Sequence, residues 1–416
     1  MTQDAGTTVT LIGHRWARHS HALKDFLGGN RVAYRWLDVD RAHAAGVLLE
    51  QLNMGSAALP VAVLADGVAL ADPSVEQLAE ALGMHAHTSE RAYDLAIVGG
   101  GPAGLAAAVY GGSEGLSTVL IERHATGGQA GTSSRIENYL GFPEGISGAD
   151  LADRATVQAE KFDVEIVAPQ TVDRLDLDGA YKVLHLGDGS SITARSLIIA
   201  TGLSYKHLHT PGLERLAGAG VYYGAATTEA RAAEGEHVYV VGSANSAGQG
   251  AMYFSRFAAR VTIIFRGAEL NEHMSQYLVD QISARPNIDL MPESHVIEAL
   301  GDRHLTAVRT EQVETGQVSE HATEFLFVFV GAEPRIDWLC GHVAVDAHGY
   351  VLCGPDVLSA EASWPLQRQP FHLETSVPGI FAAGDARHGS IRRVAGAVGE
   401  GSTAVQLVHR YLAEHP

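Results

Sequence analysis

Cysteine is nearly missing from this chain of 416 residues; only Cys340 and Cys353 occur. Two cysteines cannot build a disulfide framework, and their scarcity accords with a reducing compartment. Positive charge is short as well, with 29 Lys and Arg against 48 Asp and Glu, a formal net charge of −19. That balance argues against nucleic acid and anionic membrane surfaces as partners, and it serves solubility. No apolar run is long enough to span a bilayer, and no basic region followed by an apolar stretch opens the chain. The expected location is therefore the cytoplasm, with no membrane and no nucleic acid as partner. No metal site is expected either.

What is plentiful is glycine, 46 residues, as suits an α/β protein with several tight turns. The length suggests two to four domains. The most informative stretch is Leu95-Ala-Ile-Val-Gly-Gly-Gly-Pro-Ala-Gly104. Ala96, Ile97 and Val98 form the short apolar run of a parallel strand covered on both faces. Gly99, Gly101 and Gly104 then follow the G-x-G-x-x-G spacing. The first makes the tight turn, the second lets backbone approach a pyrophosphate, and the third lets helix pack on strand. Pro102 and Ala103 open a helix continuing through Leu105-Ala-Ala-Ala-Val-Tyr110, with its N-terminal N–H groups toward the phosphates. A second strand, Thr118-Val-Leu-Ile121, ends at Glu122, 23 positions after the first glycine, where an acid can bond a ribose hydroxyl.

Before this unit, residues 1 to about 84 read as a small α/β domain. Strands are expected at Val9–Ile12, Val32–Leu37 and Leu59–Leu64, with helices around Ala22–Leu27, Val47–Leu52 and Ser74–Leu82, and an Asp66-Gly67 hairpin turn. His85 to Ala92 is polar and reads as a linker. After Glu122, the glycine-rich stretch Gly127 to Pro143 reads as a functional loop. A helix is expected from about Ser147 to Phe162, then strands at Val164–Val167, Val183–Leu186 and Ser196–Ala200, the last ending in Thr201 and Gly202. A second nucleotide-binding unit begins at Val238-Tyr-Val-Val-Gly242, whose turn Gly242-Ser243-Ala244-Asn245-Ser246-Ala247 is a G-x-A-x-x-A variant. Its next strand, Val261–Phe265, ends at Arg266. Phe325–Val330 is a further buried strand closed by Gly331. Gly379-Ile-Phe-Ala-Ala-Gly384-Asp385 carries an acid on its turn, and Arg393, Val394 and Ala395 lead into an apolar-striped helix to about Leu412.

From about residue 92 onward these pieces resemble the thioredoxin-reductase branch of the FAD and pyridine-nucleotide disulfide oxidoreductases. Gly-Gly-Gly-Pro-Ala-Gly with Glu122, Gly127-Gly-Gln129, Arg135-Ile-Glu-Asn-Tyr-Leu-Gly-Phe-Pro143, Ala200-Thr-Gly202 and Ile380-Phe-Ala-Ala-Gly-Asp385 stand in family order. The resemblance implies two Rossmann-like domains, the NAD(P) domain (209–332) inserted in the FAD domain (92–208 and 333–416). It implies FAD along Gly99 to Gly104, Glu122, Gly128 and Gln129, near Thr201 and Gly202. Asn138, Gly384 and Asp385 then meet its isoalloxazine or ribityl part, and the helix after Arg393 aims its positive end at the flavin. It also implies NADPH, a homodimer, and a nucleotide site including Gly331. The β-α-β-α-β-β-α order of residues 1–88 is similar to glutaredoxin and thioredoxin folds, which implies a cis bond before Pro60.

The departures carry as much information. At the places of the family's redox Cys-x-x-Cys stand Ala225 and Thr228, and in the N-terminal domain the corresponding residues are Ala17 and Ser20. Without a thiolate, thiol–disulfide chemistry is closed. In the second site Ala244 replaces a glycine and crowds the pyrophosphate. Of the family's arginines for a 2′-phosphate only Arg266 remains, Gly267 and Asn271 standing for the others, and no acid stands at the strand end. NADPH is then mildly favoured through Arg266. The first expectation is an FAD-dependent oxidoreductase passing electrons from NAD(P)H to an external acceptor: oxygen, a small molecule such as a quinone or disulfide, or a protein docked near Tyr222 to Thr228. The others are a flavin-bearing sensor, or a flavoenzyme fed by a protein donor. Fast anaerobic bleaching by NADPH or NADH separates the first from the rest.

Overall fold

The structure, a computed structural model, describes residues 9–54, 58–84, 92–133, 135–224, 233–360 and 362–415. Ala225 and Thr228 lie outside the described residues, as does the expected linker except Ala92, which opens a strand. The α/β class expected from the sequence is observed. The chain forms two compact units, Met1–Ser74 with Tyr205–Ala332, and Val75–Ser204 with Glu333–Pro416.

In the second unit, strands Glu165–Val167, Thr118–Ile121, Ala92–Val98 and Ser191–Ile199 run side by side and parallel. Strand Ser191–Ile199 changes partner along its length. Its first half pairs antiparallel with Tyr181–Leu186, and its second half pairs parallel with Ile380–Ala382. Side-chain alternation divides the core. Leu95, Ile97, Leu120, Ile198 and Phe381 pack with residues of helices Pro102–Ser113 and Val394–Glu414, among them Leu105, Val405 and Val408. Ala96, Val98, Ile121, Leu197, Ile199 and Ile380 pack with Leu339, Val343, Val351 and Cys353. Each large side chain removed from water here contributes roughly 1.5–3 kcal/mol. Between Val343 and Leu352 the chain makes one bridge, Val345 to Val351, around a turn whose N–H groups at His348 and Tyr350 donate to Asp346.

The first unit holds a five-stranded parallel sheet in the order Val221–Tyr223, Phe325–Val328, His237–Val241, Arg260–Ile264, Ile288–Met291. It also holds a three-stranded antiparallel sheet, Ser294–Leu300, Ala307–Gln312 and Val318–Ala322. Residues 9–71 contribute a four-stranded sheet in the order Tyr34–Asp38, Val9–Gly13, Val61–Leu64, Ala69–Ala71, the first pair parallel and the others antiparallel. The Leu59–Pro60 peptide bond is cis.

Candidate functional site

Parallel pairing gathers the predicted residues of the second unit at one sheet edge. Val98 is level with Ile121 and Ile199, and Ile199 is level with Ala382. The turns carrying Gly99, Glu122, Thr201 and Gly384 therefore all leave from the C-terminal ends of strands, where ligands of open α/β sheets bind.

The three motif glycines differ in what requires them. A β-carbon on Gly99, where φ is +109°, would stand 2.3 Å from the Ala200 carbonyl oxygen. One on Gly104 would stand 1.8 Å from the Gly99 carbonyl oxygen, so helix and strand meet only through glycine. One on Gly101 would meet no protein atom nearer than the Gly128 α-carbon at 3.9 Å. Gly101 is the N-cap of helix Pro102–Ser113, and no side chain caps that terminus. Helix Val394–Glu414, with Arg393 at its N-cap and Val394 and Ala395 in its first turn, likewise lacks a side-chain cap. Ser147, by contrast, caps helix Gly148–Glu160 through its hydroxyl, which accepts from Asp150 N–H at 3.0 Å. Two helix ends at the sheet edge thus offer N–H donors without a side-chain acceptor of their own.

Glu122 closes the glycine turn. Its Oε2 accepts from Gly100 N–H at 2.7 Å and its Oε1 from His124 N–H at 3.0 Å. Burial raises its pKa, and the two N–H groups, His124 and Arg335 oppose that rise. Gly127 N–H donates to the Gly100 carbonyl at 2.7 Å, and a β-carbon on Gly128 would sit 3.0 Å from the Gly101 α-carbon, so the two glycine turns lie against each other. Gln129 donates to the Leu203 carbonyl at 2.7 Å, and Thr201 to the Arg335 carbonyl at 3.0 Å. Gly202 has φ +59° with open space around it, and Asn138 is exposed. A β-carbon on Gly384 would stand 3.0 Å from that of Ala103. Burial holds the half-buried Asp385 carboxyl above its ordinary value, with Arg392 opposing and Glu400 adding.

No local motif marks Glu400, Arg387 and Arg335. Glu400 Oε2 accepts from Gly384 N–H at 2.7 Å, and Oε1 accepts from Arg387 at 2.5 Å, a largely buried ion pair that fixes the turn bearing Asp385. Arg335 lies close enough to Glu122 to feel its charge, and its buried Nη1 has no hydrogen-bond partner among the described residues. A cavity of about 270 Å³ is lined by Asp346, Tyr350, Asp385, Arg387, His388 and Arg392, with His388 bonded to Asp346 at 2.7 Å. The glycine open on one side, the uncapped helix ends and the acid at the second strand fit a dinucleotide cofactor. Among the described residues no cluster of metal-ligating side chains occurs.

The second nucleotide turn, in the first unit, repeats the logic with less room. A β-carbon on Gly242 would stand 2.5 Å from the Phe329 carbonyl oxygen and 3.0 Å from the Ala247 β-carbon. Ala244 is the exposed N-cap of helix Asn245–Phe254, Ser243 is half-buried, Ser246 exposed and Ala247 buried. Asn245 is committed internally, its Oδ1 accepting from Ser275 N–H at 2.8 Å. Gly331 leaves the sheet near the same edge, its carbonyl accepting from Lys206 N–H at 3.0 Å. Arg266 is exposed just past the strand end. The strand end itself carries no acid, but the turn beyond it brings one close. The Glu272 carboxylate, carried by the following turn, lies 3.1 Å from where a β-carbon on Gly267 would stand. Spacing along the chain hid it, because the turn after Arg266 folds back.

The profile of the family described as pyridine nucleotide-disulphide oxidoreductase matches residues 93–401. The chain belongs to this family, whose members are flavoproteins using FAD and NADPH. It is 35% identical over 329 residues to a thioredoxin reductase of Peptoclostridium acidaminophilum, covering 78% of this chain and 98% of that one. Among solved structures it is similar to the Lactococcus lactis thioredoxin reductase, with 31% identity, TM-score 0.69, and coverage of 77% of this chain and 99% of the other. The T. acidophilum thioredoxin reductase gives 29% identity and TM-score 0.68, covering 79% of this chain and all of the other, 100%.

Proposed function

We propose that this protein is an FAD-dependent NAD(P)H oxidoreductase of the thioredoxin-reductase type that has given up dithiol relay and passes electrons to an external acceptor. One observation carries the reading: the chain holds two cysteines, 13 positions apart, with Ala225 and Thr228 where the resemblance puts the redox pair. When bound, FAD supplies hydride acceptance and two-electron delivery. Gly101 and the first turn of helix Pro102–Ser113 receive the pyrophosphate, Glu122 the ribose, and Asp385 the ribityl chain. Gly128, Gln129, Asn138, Thr201 and Gly202 line the remaining length. The N-terminus of helix Val394–Glu414 would turn its positive end toward a bound flavin. Gly242 to Ala247, Arg266 and Gly331 receive the nicotinamide nucleotide. Residues 1–88 form a thioredoxin-like domain without thiols, and the protein acts in the cytoplasm as a homodimer.

Anaerobic mixing of the yellow protein with NADPH and with NADH tests the reading. Rapid bleaching followed by recovery with a soluble benzoquinone is the expected result. No bleaching with either nucleotide removes the NAD(P)H half of the proposal and favours a protein donor.

A further inference from the structure

We infer that residues 15–21 are the resident occupant of a protein-docking face on the nucleotide-binding part of their own unit, so that the acceptor proposed above is a small molecule and not a docked protein. This rests on the oxidoreductase reading and narrows its acceptor class.

The contact is built from aromatic rings and cations. Trp16 stacks on His304, with ring centroids 5.0 Å apart and 11° between planes, and leans on Phe325 at 5.6 Å. The Arg15 guanidinium lies over the Trp16 ring at 4.6 Å and the Phe325 ring at 5.5 Å. Arg18 donates to the Glu214 carbonyl, and the His21 ring rests on Tyr222 at 5.1 Å. Beside them, a β-carbon on Gly218 would come within 3.3 Å of His21 Cδ2 and 3.6 Å of the Arg18 α-carbon. Trp16 thereby joins the apolar cluster of the five-stranded parallel sheet, and Tyr222 is only 3% exposed.

Tyr222 stands three residues before Ala225 in the sequence, and the segment touching it, the start of helix Arg18–Gly29, carries Ser20 and has Ala17 as its N-cap. Thiols are missing on both sides of the contact, so no disulfide exchange crosses it. Being part of the same chain, the segment meets this face at an effective concentration on the order of millimolar, which a separate protein at micromolar concentration cannot match. The aromatic and arginine side chains that would recommend a partner to this face are already supplied from within.

The test locks the contact. In a Cys340→Ser background, Arg18→Cys with Gly218→Cys places two thiols within disulfide reach. We expect near-complete oxidation to an intramolecular cross-link, with NAD(P)H-driven reduction of a soluble benzoquinone within about twofold of the reduced form. Two free, titratable thiols in the folded variant would overturn the docking. Loss of turnover on cross-linking, restored by reductant, would overturn the claim that the docked state is the working one. If the reduced variant and the parent protein also fail with benzoquinone, the oxidoreductase reading fails, while the cross-link yield still decides the docking. Because Gly218 has φ +77°, a second variant avoids that position. In Trp16→Ala, backbone amides of 218–223 should exchange at least about tenfold faster than in the parent. Equal rates would refute the contact.

Discussion

A β-carbon on Gly104 collides with the Gly99 carbonyl oxygen at 1.8 Å, whereas one on Gly101 meets only a carbon at 3.9 Å. Substitution at Gly104 therefore tests the fold, and substitution at Gly101 tests the ligand. Gly101→Val should leave thermal stability of the flavin-free protein within about 1 kcal/mol of the parent, since it sits at a helix N-cap with open space. It should purify colourless, the isopropyl group standing where the proposed pyrophosphate would approach; full flavin content would remove Gly101 from the site. In the other unit, Arg266 and Glu272 flank one strand end with opposite charges. Arg266→Ala should weaken NADPH by about one to two decades and leave NADH nearly unchanged, because only NADPH presents a phosphate to the guanidinium. Glu272→Gln should strengthen NADPH about two- to fivefold by removing a like charge in an exposed setting. Binding constants for both nucleotides decide this; equal changes for NADPH and NADH would assign the pair to the fold or the pyrophosphate. The motif residues were legible because the G-x-G-x-x-G turn is local in sequence. Glu272, Arg335 and Glu400 were not, because each enters through a turn or helix whose position only the fold determines.

At the scale of elements, helices Pro102–Ser113 and Val394–Glu414 pack closely enough to demand glycine. A β-carbon on Gly401 would lie 2.2 Å from the Ala103 carbonyl oxygen, while one on Gly399, two residues earlier on the same helix, meets nothing within 4 Å. Gly401→Ala should destabilise by about 1–3 kcal/mol, through forced separation of the helices. Gly399→Ala should stabilise by about 0.5–1 kcal/mol from helix propensity alone. Because Ala103 belongs to the first turn facing the glycine motif, only Gly401→Ala should also weaken flavin retention. Denaturant melts and flavin titration of the two variants check this, and similar behaviour of the pair would refute the packing argument. The buried strands were legible as short apolar runs, as at Ala96–Val98 and Phe325–Val328. The strands Ala307–Gln312 and Val318–Ala322 carry no such signal, because charged residues interrupt them: half-buried Arg309 and Glu311, and exposed Glu320. An antiparallel sheet wet on one face lacks a continuous apolar signal.

For the molecule as a whole, the decisive question is whether any sulfur lies in the electron path. Cys353 is buried in the core beneath the parallel sheet, and burial pushes its thiol up to about 12, so it offers neither access nor thiolate at neutral pH. Cys340 is exposed, in the left-handed conformation with φ 51°, and its sulfur faces the Trp338 carbonyl. Maleimide treatment of the folded protein should therefore modify one thiol, and denaturation should reveal the second. Turnover of NAD(P)H with benzoquinone should be unchanged by that modification, because on the proposed reading hydride enters and electrons leave at the flavin without a relay. A family member that used a dithiol would lose its activity under the same treatment. Loss of turnover here, prevented by Cys340→Ser, would put that cysteine in the path and overturn the thiol-free reading. Loss that persists in Cys340→Ser would point to Cys353, exposed by an opening of the core around Val343 and Val351.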